Sequence, residues 1–300
     1  MKPTTENVTD ALPFWTPAFV ALQYLLPRYW LTALVFRLAR VRHVAIKDFL
    51  IRQFVRFYDV NVEEAGKDVP AGYADFNAFF TRQLSDNSRQ VDVSESSIVS
   101  PADGTLSAAG QIRHDQIFQA KGRNYSLLDL LATNTDEADQ FIDGSFATVY
   151  LAPYNYHRVH APIDGELVMA RYVPGDLFSV NAMTASGVPR LFARNERLIC
   201  HLRTAVGPLV VILVGALNVG SITTPWSGEI RPRKSGVVEE IELGSSVPKT
   251  LRKGDLLGWF NMGSTVIMLL PPHRCRWAAH LATGRTLLMG EAIGELSATK

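Results

Sequence analysis

Trp259-Phe260-Asn261-Met262-Gly263-Ser264-Thr265-Val266-Ile267-Met268-Leu269-Leu270, WFNMGSTVIMLL, reads as a buried strand with an interruption in it. Large apolar residues flank a Gly-Ser-Thr step. Glycine weakens a strand interior and marks a bend or a close backbone approach. A buried hydroxyl needs a partner. The run predicts a core strand that carries a small nucleophile at a flexible point.

Outward from this run, short apolar segments broken by Gly, Pro and Asp fill the chain from about Ser100. They are PADGTLSAAGQI, FATVYLAP, APIDGELVMARYVPGD, VVILVGALNVGSI, SGVVEEIEL and KGDLLGWFNMGSTVIMLL. Strands at short spacing with turn residues between them predict a compact β-rich domain over 100–300. Asp103-Gly104 and Asp164-Gly165 are hairpin-type signals. A GxV strand leading through a Lys-Gly-Asp turn to an LGxF strand resembles the hammerhead, barrel-sandwich-like sheets of biotinyl and lipoyl carriers. Before this domain, residues 66–99 read as a linker with a short helix at Phe76, Phe79 and Phe80 and a polar loop from Asp86 to Ser97. Residues 1–65 read as helical, with apolar positions from Val35 to Phe57 recurring near helical spacing. The class is α+β: N-terminal amphipathic helices, then a β-rich domain.

The basic residues of the first segment are concentrated. Arg28, Arg37, Arg40, Arg42, Lys47, Arg52 and Arg56 face the single acid Asp48, although the whole chain of 300 residues carries a net charge of only +1. The near-neutral total gives no global field for nucleic acid. The local basic and apolar faces suit an anionic membrane surface, and Phe14, Trp15, Phe19, Tyr24, Tyr29 and Trp30 are interfacial anchors. The competing reading is a helix docked on the protein's own core with a solvated basic face. The uncharged run Ala11–Pro27 falls short of the roughly 20 residues of a spanning helix and holds three prolines. The N-terminus lacks a signal-peptide layout. Cys200 and Cys275 are far apart, fit no metal spacing and read as free thiols in a reducing compartment.

Three polar sites carry candidate chemistry: Asp103 in SPADG, His157 and His160 in YNYHRVHAP, and Gly263-Ser264. The histidines are three residues apart, so on one strand they would face opposite ways, and no further Cys/His pair supports a metal. Asp, His and Ser together are the parts of a relay that activates a hydroxyl. Ser264 is not in a Gly-x-Ser-x-Gly elbow. A second use exists for an activated serine after glycine. Its hydroxyl attacks the Gly263 carbonyl, the peptide becomes an ester, and β-elimination leaves dehydroalanine, which hydrolyses to a pyruvoyl group.

At this point the chain resembles a family. LQYLLPRYWLT, FNAFFTRQL, PADGTLS, QAKGRNYSLLDLL, YNYHRVHAPIDG, YVPGDLFSVN, LFARNERLIC, ILVGALNVGSI, the GST step and GEAIGEL resemble, in order and over nearly the whole chain, the bacterial phosphatidylserine decarboxylases of the self-processing, pyruvoyl-dependent type. The resemblance implies decarboxylation of phosphatidylserine to phosphatidylethanolamine. It also implies cleavage between Gly263 and Ser264 into a large and a small chain, with Ser264 converted to the pyruvoyl cofactor. Asp103, His160 and Ser264 take the self-processing positions and His157 the position beside the reacting centre, although the two histidines' roles are exchangeable. Met262 stands where many members have Leu, a volume-conserving change. A homodimer and a peripheral place on the cytoplasmic side of the cell membrane follow by analogy. Phe178, Arg194 and Arg197 are candidates for the head-group path. His43, His114, His201, His273 and His280 read as structural or surface residues.

Three other readings compete. A pyruvoyl decarboxylase of a soluble amino acid would share the Gly263–Ser264 chemistry but has no use for the basic, aromatic helices. A serine hydrolase using uncleaved Ser264 predicts one intact polypeptide. A non-catalytic lipid-binding module gives no reason for Asp103, His160 and Ser264 to occur together.

Overall fold

The apolar half of WFNMGSTVIMLL forms the strand Ser264–Leu270, buried along its full length. The computed structural model describes residues 13–120, 122–233, 236–244 and 248–297. In it this strand lies inside the largest sheet, antiparallel to Ser145–Leu151 on one side and to Gly207–Val214 on the other. The sheet continues outward through Arg197–Thr204 and Gly165–Val173 on the Gly207–Val214 side, and through Gly104–Gln111 on the other. Its central strands are covered on both faces, so Val210–Val214 and Val266–Leu270 are continuous apolar runs without alternation.

A second sheet pairs Arg158–His160 with Leu256–Phe260, and Leu256–Phe260 with Ile222–Thr224. The chain therefore leaves one sheet at Phe260 and enters the other at Ser264. The Gly-Ser step is the corner between them. A third, smaller sheet orders Ser97–Val99, Ala292–Leu296 and Cys275–Trp277.

Neither Asp-Gly pair makes a hairpin. Asp103-Gly104 carries the chain from the small sheet to the large one, and Asp164-Gly165 carries it from the second sheet to the large one. The glycine at the first crossing answers to close packing, because a Cβ on Gly104 would lie 2.4 Å from the Tyr150 carbonyl oxygen.

Three helices precede the sheets: Thr16–Leu25, Arg28–Ala39 and Val44–Tyr58. Residues 1–12 of the expected helical region lie outside the described residues. The short helix Phe76–Phe80 begins at Asp75, whose carboxylate accepts from the Ala78 N–H at 2.8 Å. Its three phenylalanines pack with Ile51 into a separate apolar cluster, against which Phe54, Tyr58 and Met262 rest. This cluster fixes the helix Val44–Tyr58 beside the Gly-Ser corner. No described helix is by itself long and apolar enough to cross a membrane. Thr16–Leu25 and Arg28–Ala39 meet that test only as a pair bent by 84°.

Candidate active site

The corner is held tightly at both ends. On one side, the Asn261 side chain donates to Ser221 Oγ at 2.8 Å and Thr223 Oγ1 at 2.7 Å, and accepts from Asn77 Nδ2 at 3.0 Å. Its main chain bonds Ser221 and Gly220. On the other side, Ser264 and the residues after it are locked into the ladder with Ser145–Leu151. Between the two clamps Met262 takes φ +112°, a left-handed value that costs an L-residue energy. Strain is thus stored one residue before the Gly263–Ser264 bond. No sequence signal marks Asn261, because its partners, on the helix Phe76–Phe80 and at the strand Ile222–Thr224, are distant in sequence.

Ser264 is buried, and its Oγ has no hydrogen-bond partner among the described residues. A polar atom in that state calls for an explanation beyond packing. His157 stands beside Gly263. A Cβ built on Gly263 would lie 3.5 Å from the Leu151 carbonyl oxygen and 3.7 Å from His157 Cε1, the carbon between the two ring nitrogens. The imidazole is stacked on Phe80 with 4.0 Å between ring centres. Its Nε2–H donates to the Pro153 carbonyl at 3.2 Å, which leaves Nδ1 a bare lone pair, buried and without a partner among the described residues. Burial pushes the His157 pKa down to about 3, so the ring is neutral at physiological pH.

His160 turns to other partners. Its Nδ1–H donates to the Gly254 carbonyl at 2.7 Å, and its Nε2 accepts from the Tyr156 hydroxyl at 3.2 Å. Burial lowers its pKa as well. Gly254 lies in the expected Lys-Gly-Asp turn with φ +89°, where a Cβ would meet Val91 at 2.8 Å. Asp103 accepts from Arg89 Nε at 2.9 Å and from the Met289 N–H at 2.8 Å, and Arg89 also reaches Glu64 at 2.9 Å. Asp103, His160 and Ser264 are therefore not bonded to one another in the uncleaved chain. The structure brings His157, not His160, against the Gly-Ser step.

The head-group candidates lie elsewhere. Phe178 is buried with the Arg28 and Arg194 guanidinium groups over its ring, and Arg194 pairs with Asp176 at 3.1 Å. They form the seam where the N-terminal helices dock. Arg197 is buried and donates to the carbonyls of Asp129, Leu130, Ala193 and Asn195. His201 is also structural, 3.2 Å from Glu137. Cys200 and Cys275 are free thiols.

A cavity of about 390 Å³ opens between the second and third helices. Val35, Leu38, Phe54, Phe57 and Phe76 line it, and it ends at Met262. The strained residue thus forms part of the wall of an apolar cavity on the helical face.

A family model described as phosphatidylserine decarboxylase matches residues 76–295, a span that holds Asp103, His157, His160 and the Gly-Ser corner. The chain belongs to the phosphatidylserine decarboxylase family. A second model, described as PSD, matches residues 18–59, the three helices. Relatives named phosphatidylserine decarboxylase proenzyme align over nearly full length. That of Alcanivorax borkumensis is 48% identical over 92% of this chain and 95% of its own. That of Methylococcus capsulatus is 45% identical over 96% and 99%, and that of Stutzerimonas stutzeri 44% identical over 94% and 95%. The phosphatidylserine decarboxylase family is one of carboxy-lyases. The two matches together cover the helical face and the strained corner.

Proposed function

We propose that the chain is a proenzyme that cuts itself between Gly263 and Ser264 and then decarboxylates phosphatidylserine to phosphatidylethanolamine at a membrane surface. The observation that carries this reading is the corner itself. A buried, unpartnered hydroxyl follows a strained residue and a glycine, beside a neutral histidine with a free lone pair.

The cleavage balances. Ser264 Oγ loses its proton to a base and adds to the Gly263 carbonyl carbon. The C–N bond breaks, Ser264 N takes a proton, and an ester remains. A base then removes the Ser264 Cα proton and the Cβ–O bond breaks, which leaves a carboxylate on Gly263. The dehydroalanine on the new small chain consumes one water and releases ammonia. Asp103 and His160 are the relay that the family resemblance supplies, and the His160 lone pair now held by Tyr156 is the one that relay would use. His157 is the proton carrier at the reacting centre, in the elimination and again at the substrate's α-carbon.

The corner fits a pyruvoyl group made from Ser264, since the site is buried and Trp259, Phe260, Val266 and Ile267 frame it in apolar surface. That group supplies an electron sink of the kind pyridoxal phosphate provides elsewhere. The chain's own residues hold it dry, and His157 delivers and removes protons.

The helices support a membrane reading because large apolar side chains on and just before them stay exposed. Phe14 is 97% exposed, Leu25 81%, Trp30 82% and Phe57 79%. The docked side mixes apolar residues, Ala39 and Ile51, with the polar Thr16, Gln23, Thr32 and Lys47. Gln23 and Thr32 there accept main-chain bonds from Ser179 and Asn218. Exposed apolar surface on this scale marks an interaction site. Arg37, Arg42, Arg52 and Arg56 remain exposed for anionic lipid, although Arg42 lies 3.9 Å from Asp75 and Arg52 3.5 Å from Asp48, whereas the less exposed Arg28, Arg40 and Lys47 pair within the chain. The free thiols suit the cytoplasmic face, and a homodimer is expected by family analogy.

The test is carbon dioxide release from carboxyl-labelled phosphatidylserine in anionic vesicles by the purified protein. Release that a Ser264→Ala variant lacks is expected. No release by the cleaved wild type overturns the reading.

A further inference from the structure

Among the described residues, four lysine and arginine side chains are buried: Lys47, Arg82, Arg171 and Arg197. Three are satisfied. Lys47 bonds Asp48 and the Pro70 carbonyl, Arg171 grips Glu137 with two nitrogens, and Arg197 bonds four carbonyls. Arg82 is the exception. It is 4% exposed, forms no ion pair among the described residues, and leaves Nε and Nη1 without partners. Its one hydrogen bond is a 3.5 Å contact from Nη2 to the Tyr154 carbonyl. Its guanidinium lies over the Phe79 ring, and Asp103 and Glu64 attract it only through space, without a bonded contact. A buried cation with no carboxylate bonded to it is costly, so its retention calls for a reason.

Arg82 lines a cavity of about 650 Å³ shared with Lys67, Tyr73 and Arg158. Arg158 also forms no ion pair among the described residues. Its Nε donates to the Thr81 carbonyl at 3.0 Å, and its guanidinium lies over Trp259. The Tyr73 hydroxyl is buried and has no hydrogen-bond partner among the described residues. The one acid on the wall is Asp86, so three cations there face a single carboxylate. None of Phe80, His157, Gly263 and Ser264 lines the cavity. It is tied to the reacting corner through the chain: Arg82 follows the helix whose Phe80 stacks on His157, and Arg158 is the next residue after His157.

We propose that Arg82, with Arg158 and Lys67, forms a binding site for a phosphate ester, and that its occupant is the head-group phosphodiester of the lipid substrate. The occupant rests on the function proposed above; the anion site does not. Guanidinium groups suit phosphate oxygens, and a phosphodiester supplies a bonded counter-charge.

Two measurements test this on the full-length, cleaved protein, with cleavage confirmed by mass. The first compares short-chain phosphatidylserine with a serine ester that lacks phosphate, in wild type and in Arg82→Gln, Arg158→Gln and Lys67→Gln. Lys67 is exposed, so its replacement cannot fail through misfolding. Loss of a charge-assisted contact at Arg82 or Arg158 should raise KM for the phospholipid by roughly 10- to 100-fold, with a smaller rise for Lys67→Gln and kcat changed far less. Preference for the phospholipid over the serine ester should fall in parallel. Unchanged KM and preference in all three variants overturn the head-group assignment. The second titrates inorganic phosphate by phosphorus NMR. Binding by wild type that Arg82→Gln loses, with KM unchanged, assigns the pocket to free phosphate instead. No phosphate binding and no KM effect overturn the site altogether. Should the wild type be inactive on phosphatidylserine, the proposed function fails while the phosphate titration still decides the pocket.

Discussion

Met262→Gly should slow self-cleavage even though it relaxes the backbone. Met262 holds φ +112°, where a residue with a Cβ bears about 1–3 kcal/mol of strain. Strain of this kind is released when the Gly263–Ser264 peptide rearranges, so it lowers the barrier to cleavage. Glycine removes it from the uncleaved state and raises the barrier by the same amount, a slowing of roughly 5- to 150-fold. The side chain also packs against Phe54 and Phe76, so truncation needs its own control. Met262→Ala supplies that control, because alanine loses the packing but keeps the strain. The assay is the appearance of the 264–300 fragment by denaturing mass spectrometry after cell-free synthesis. A Ser264→Ala background gives the melting temperature of the uncleaved chain. Met262→Gly is expected to cleave slower than Met262→Ala, and its uncleaved form to melt higher than the alanine variant. If glycine cleaves as fast as alanine and wild type, strain at Met262 plays no part in cleavage.

Other outcomes follow from the same geometry. His157 has its pKa depressed to about 3 from an unfolded value near 6.5, so its contribution to stability is complete above pH 6.5 and lost as pH falls toward 3. In the Ser264→Ala background, His157→Gln should flatten the decline in melting temperature over that window; an equally steep decline contradicts a buried neutral ring. Arg89→Met leaves Asp103 buried without its cation and should destabilise the fold by about 3–5 kcal/mol in urea titration. Adding Asp103→Asn should recover part of that loss, and simple additivity would show the two side chains to be uncoupled. Trp30→Ser and Phe57→Ser change exposed side chains and should leave the melting temperature within a degree or two. Each should weaken sedimentation with anionic vesicles by about tenfold; unchanged partitioning removes the helical face from membrane contact.

The strands were legible where burial is two-sided, because runs such as Val210–Val214 need no alternation to be recognised. The helix at Phe76–Phe80 was legible from its aromatic spacing. The Asp-Gly pairs misled because a turn signal reports a local bend and not which sheet the next strand joins. Gly104 is required by the Tyr150 backbone from another strand, a contact no local pattern carries. The sequence presents the basic residues as one face suited to an anionic membrane, yet Arg28, Arg40 and Lys47 pair with acids of the chain. The burial of Gln23 and Thr32 emerges only when docking partners such as Ser179 and Asn218 are known. At the site, residue types and order were legible. The pairing of Asp103 with Arg89, the clamp at Asn261 and the dihedral of Met262 were not, since each depends on where separate sheets meet.

The intact mass of the purified protein under denaturing conditions tests self-cleavage at the corner most directly. Two fragments are predicted, residues 1–263 and residues 264–300, the second blocked at its N-terminus by a hydrazine-reactive carbonyl. The Ser264→Ala variant should stay whole. A single uncut chain that still decarboxylates phosphatidylserine would contradict the proposed mechanism.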